Sequence, residues 1–98
     1  MPSLYYDKQG KPITMDEWGK FFNDMEYKVI KQTTLSNGKW VSTVWLGLGY
    51  SFEPGAPLIF ETMVFPKEGD YSEEGLDRYS TLEEAQQGHE KMCKEFDN

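Results

Sequence analysis

Two short apolar runs, residues 40–48 and 58–65, constrain this chain more than any other feature. Both are too short for ordinary helices and rich in Val, Ile, Thr, Trp and Phe, side chains that are stiff at χ1 and pack well on a pleated surface. They read as strands. Between them Gly49, Pro54, Gly55 and Pro57 break the pattern with residues that set turns through positive or fixed φ, so the runs are expected to pair as antiparallel neighbours.

A third strand is expected over residues 26–35, joined to residue 40 through Ser36-Asn37-Gly38-Lys39. Asn-Gly tolerates the positive φ of a two-residue type I′ turn, whose twist matches the flanking strands. That turn would set Leu35 opposite Trp40, Thr33 opposite Ser42, Lys31 opposite Val44 and Val29 opposite Leu46. One side of the ribbon would then carry Tyr27, Val29, Leu35, Trp40, Val44, Leu46 and Leu48 and become the core face. Ile30, Val41 and Trp45 would stand on the other, and a one-residue slip would exchange the two. Both alternating sets of residues 58–65 are mostly apolar, which suits a central strand covered on both faces.

Two capping boxes announce helices. Thr14 and Glu17 have the required spacing, and Trp18, Phe21, Phe22 and Met25 recur on one face of residues 15–25. Ser80 with Glu83, or Thr81 with Glu84, opens a second helix that runs to about Phe96 and buries Leu82, Ala85, Met92 and Phe96 with His89 on the same stripe. Gly88 costs that helix roughly 1 kcal/mol relative to Ala, which points to close approach by a neighbouring group. Before the first helix, residues 4–6 and 11–13 flank Asp7-Lys8-Gln9-Gly10 and suggest a small edge ribbon limited by Pro12. A short strand over residues 76–79 completes the pattern. The expected fold is α+β: a single domain, residues 1–98, with an antiparallel meander of three or four strands, both helices on one face and an N-terminal β-ribbon.

The 98 residues suit one core, and the formal charge of -7 is uneven. Residues 66–98 hold ten acids against Lys67, Arg78, Lys91 and Lys94, whereas residues 1–65 hold seven acids against six lysines. An acidic surface repels phosphates and disfavours direct nucleic-acid binding. One cysteine, Cys93, cannot form an internal bridge, and no long apolar span is present, so a reducing cytoplasmic setting without membrane insertion is expected.

Little catalytic chemistry is visible. His89 and Cys93 stand i, i+4 on one helical face, but no second Cys or His exists to complete a structural zinc site, and no cofactor is expected. Glu61, in an apolar strand, suits either a general base of raised pKa or a carboxylate paired with Arg78. No nucleophile elbow or phosphate loop accompanies it, so the chain does not read as an enzyme.

The runs VSTVWLGL, PLIFETMVF and RYSTLEEAQQGHE, with YYDKQGKPI before the first helix, resemble a family of small uncharacterised proteins found mainly in bacteriophages and prophages. The resemblance covers nearly the whole chain and implies a genomic setting rather than a chemistry. Members often carry an acidic residue and a histidine after the WLGL run. This chain has Gly49-Tyr50 there, so no metal or acid–base role is implied for that loop. Two functions suit such a setting. The first is binding of a host protein, such as a defence or regulatory factor. The alternative is a small-molecule or nucleotide-sequestering module in which Trp45, Tyr50, Phe52 and Tyr79 or Arg78 form an aromatic and cationic pocket, with His89 nearby. The loop at residues 49–57 would be a recognition element. A homodimer through Ile30, Val41 and Trp45 is also expected, because two helices can cover only one sheet face.

Overall fold

In the computed structural model, which describes residues 4–49 and 56–97, β1 (Val29–Thr34), β2 (Trp40–Trp45), β3 (Phe60–Phe65) and β4 (Gly75–Tyr79) form one antiparallel meander in chain order. The C-terminal helix α3 (Leu82–Phe96) crosses all four strands on one face. Among the described residues no second helix lies across the other face, and no helix is long and apolar enough to cross a membrane.

The β1–β2 turn differs from the expected one by a residue. Leu35 N donates to Lys39 O at 2.8 Å and Gly38 N to Leu35 O at 2.9 Å, which closes a three-residue loop, Ser36-Asn37-Gly38, with Gly38 at φ +90. A type I turn followed by a left-handed glycine also matches strand twist, so Asn-Gly serves either hairpin. Thr34 therefore pairs with Trp40, Thr33 with Val41 and Lys31 with Thr43, in place of the expected set. Leu35 and Thr33 move to the side of Val41. An irregularity between Val29 and Lys31 then shifts the register again and leaves Val29 opposite Val44.

Both capping boxes form, at Thr14/Glu17 for α1 (Met15–Phe22) and at Thr81/Glu84 for α3. The first helix ends early. Asp24 accepts from Glu26 N and Tyr27 N and starts a separate turn, α2 (Met25–Lys28), which takes over the first residues expected for β1. The N-terminal segment makes the expected turn, with Gly10 N donating to Asp7 O, but no ribbon follows. It forms only isolated bridges, Tyr6 with Pro12 and Tyr5 with Leu48. Pro12 has no N–H to extend a ladder, and Tyr6 N turns instead to Gly47 O at 3.0 Å.

Two buried clusters lie under the helices. Leu35, Val41, Val64 and Met92 fill one end. Trp45, Ile59, Phe60 and Ala85 fill the other, where Trp18, Phe21, Phe22 and Tyr6 pack against them. Gly88 shows why α3 tolerates a glycine in its middle: a Cβ there would lie 2.2 Å from Cε1, Cζ and Oη of Tyr79. Gly88→Ala is therefore expected to destabilise by about 1–3 kcal/mol despite its better helix propensity. Adding Tyr79→Leu should recover part of that loss. Chemical denaturation of the single and double variants checks both outcomes.

Candidate functional site

The two sheet faces offer different chemistry. Beneath α3, His89 is fully buried with both ring nitrogens engaged: Nε2 lies 2.8 Å from Thr33 Oγ1 and Nδ1 2.7 Å from Thr43 Oγ1. Thr43 Oγ1 in turn lies 2.5 Å from Thr62 Oγ1. Thr33, Thr43 and Thr62 come from three adjacent strands and share one face, because Thr43 pairs with Thr62 and Thr33 pairs with Val41, two residues from Thr43. Burial pulls the His89 pKa below its ordinary value, with Glu90 opposing and Lys31 assisting. This closed chain of hydroxyls around a neutral imidazole stitches α3 to the sheet and leaves no open side for a substrate. Cys93 is half-buried at its margin, and burial pushes its thiol pKa up, away from the reactive thiolate.

Among the described residues no helix covers the opposite face. Trp40, Val44 and Leu46 of the β2 segment and Met63 and Phe65 of β3 line a shallow groove of about 210 Å³, with Lys28 and Glu61 at its margins and Tyr71 overhanging Phe65. Trp40, Phe65 and Tyr71 form an aromatic row, with centroids 5.7 and 5.6 Å apart. Leu76 pairs with Met63 and extends the apolar surface onto β4. Tyr71 is 75% exposed and Leu76 44%. Arg78 pairs with Glu61, its Nε 3.0 Å from Oε2. Lys28 Nζ sits 3.6 Å from the centroid of the Phe22 ring, and no carboxylate among the described residues pairs with it.

This geometry corrects several expectations. Trp45 and Val41 are fully buried under α3 and its neighbours, and Ile30 packs against the Trp45 cluster, so the face assigned to a dimer is the covered one. Trp45 and Tyr79 lie on that covered face while Arg78 lies on the other, so these side chains do not converge into an aromatic and cationic pocket. His89 is equally closed to an incoming ligand. Tyr50 and Phe52, with most of the 49–57 loop, lie outside the described residues. Glu61 has the Arg78 partner anticipated for it. Among the described residues no group of three or more His, Cys, Asp or Glu could hold a metal ion.

Sequence reasoning missed the uncovered groove because both alternating sets of β2 are apolar enough to be core. One signal was present. Thr33, Thr43 and Thr62 needed a buried polar partner, and His89 on the apolar stripe of α3 supplied it. Tyr71 carried no periodic signal, since it sits in a charged loop. No protein-family model, curated protein or solved structure matches the chain.

Proposed function

We propose that this chain is a non-enzymatic interaction protein of bacteriophage or prophage origin, which docks a host protein on its uncovered sheet face. The carrying observation is the asymmetry of the sheet: one face is closed by α3, while the other presents Trp40, Val44, Met63 and Leu76 with Tyr71 standing proud of them. An aromatic and methionine-bearing patch, poor in acids on a chain of charge -7, has the composition of an interface core. The phage setting rests on the sequence resemblance. His89, the chain's one histidine, is locked in a structural role, which supports a binding function over acid–base catalysis.

The test is capture from a bacterial lysate by the wild-type chain, by Tyr71→Ser/Leu76→Glu and by Gln87→Ala on the far side of α3. Both altered chains change exposed positions and should stay within about 1 kcal/mol of wild-type stability. A host protein retained by wild type and by Gln87→Ala, and lost from the double variant, is the expected result. Equal retention by all three overturns the assignment of the face.

A further inference from the structure

We infer that the host segment docking on the uncovered face is an amphipathic helix whose apolar stripe is flanked by acidic side chains. This inference rests on the docking role just assigned to that face. The shape argument comes from the sheet itself. A strand adds to a sheet edge, but a face accepts a layer, and α3 shows which layer this sheet accepts. The groove follows β2 from Leu46 to Trp40, a span of about 20 Å, which matches roughly 13 residues of helix.

The charge argument comes from comparing the two faces. On the covered side the β1 cation Lys31 meets an acid of α3, with Lys31 Nζ 2.6 Å from Glu90 Oε1. On the open side, Lys28 rests only on an aromatic ring, and Arg78 gives Nε to Glu61, with its other guanidinium nitrogens unpaired among the described residues. Lys28 and Arg78 stand on opposite sides of the groove, since the β1–β2–β3–β4 order puts α2 and β1 at one edge and β4 at the other. An incoming helix would meet one cation on each flank. A second copy of this chain fits less well: the one acid that lines its own groove, Glu61, is already paired with Arg78.

The long-range field of a chain of charge -7 favours basic peptides, so a preference for acids has to come from these two local cations. At physiological salt the Debye length is about 8 Å, and contacts inside the groove then outweigh distant charge.

The test uses two synthetic helical peptides of about 14 residues, each with a leucine stripe, one flanked by glutamates and its twin by lysines. Binding is followed through the Trp40 indole and Met63 methyl resonances at 0.15 M salt. The acidic peptide is expected to bind roughly tenfold tighter, from two added ion pairs. Lys28→Glu, a change at a half-buried position that leaves the Arg78–Glu61 pair intact, should abolish that preference or reverse it. Equal or tighter binding of the lysine twin on the same resonances overturns the acidic partner while leaving the docking face standing. If neither peptide moves these resonances although lysate capture still depends on Tyr71 and Leu76, the helix is overturned and the face is not. A sedimenting dimer whose formation shifts Trp40 and Met63 overturns the inference in favour of a second copy. Capture that ignores the face altogether removes the reading on which the inference rests.

Discussion

Trp45→Ala is expected to lower the melting temperature by roughly 12 °C or more, whereas Trp40→Ala, five residues earlier on the same strand, should cost a small fraction of that. Trp45 is fully buried, meets Phe21 and Tyr27 edge-on with centroids 6.2 and 5.0 Å away, and donates its indole N–H to Tyr6 O at 3.1 Å. Truncation empties the middle of one cluster and removes one of the hydrogen bonds that tie the N-terminal segment to the sheet. Large-to-small changes of this kind cost about 3–5 kcal/mol, a major part of the 5–15 kcal/mol that holds a typical domain together. Trp40 keeps one side toward the open groove and loses mainly its contact with Phe65. Thermal unfolding of the two variants side by side checks the assignment of covered and uncovered faces. Near-equal losses would mean the faces are wrongly assigned.

His89→Leu is expected to cost about 2–4 kcal/mol although leucine fills a similar volume. The change removes one partner of the half-buried Thr33 hydroxyl and leaves the buried Thr43 with only Thr62 as partner, and an under-satisfied buried polar group costs about 1–3 kcal/mol. Adding Thr33→Val and Thr43→Val should recover much of the loss, because removing all partners together leaves nothing unpaired. A triple variant no more stable than His89→Leu alone would show that shape, rather than hydrogen bonding, dominates the site.

The same histidine sets a pH dependence. Its folded pKa lies below the ordinary value because burial disfavours the imidazolium, so the unfolded chain binds the proton more readily. The contribution to stability is complete above pH about 6.5 and is lost as pH falls from there toward the folded pKa. Glu90, held below its usual value by the Lys31 hydrogen bond, also loses stabilisation on acidification, but only in the lower carboxylate range. His89→Leu should therefore remove the upper part of the acid decline and leave the lower part. Denaturation midpoints between pH 7.5 and pH 4 separate the two.

Local signals in this chain were legible wherever one or two neighbouring residues decide the outcome. The capping boxes at Thr14 and Thr81 formed because a hydroxyl and a carboxylate three residues apart satisfy each other's orphan amides whatever surrounds them. The β-branched and aromatic runs became β2 and β3, which pair as antiparallel neighbours. The early stop of α1 was within reach too, since Asp24 is a good N-cap, but an aromatic stripe continuing to Met25 concealed it.

What the sequence by itself determined was thus the strands of the antiparallel meander, the starts of α1 and α3 and the docking of α3 on one side of the sheet, but neither the separate α2 nor the absence of an N-terminal ribbon. Which side α3 would take was decided only in three dimensions. In β2 the sets Trp40/Val44/Leu46 and Val41/Thr43/Trp45 bury similar apolar area, so the hydrophobic effect, which is non-directional, scarcely separates them. Hydrogen bonds are directional. Covering the Val41 side lets Thr33, Thr43 and Thr62 meet His89 and lets Gly88 close over Tyr79, whereas the opposite choice would leave that imidazole against Trp40, Val44 and Met63. The groove that remains open exists because polar satisfaction settled a contest that apolar area left nearly tied.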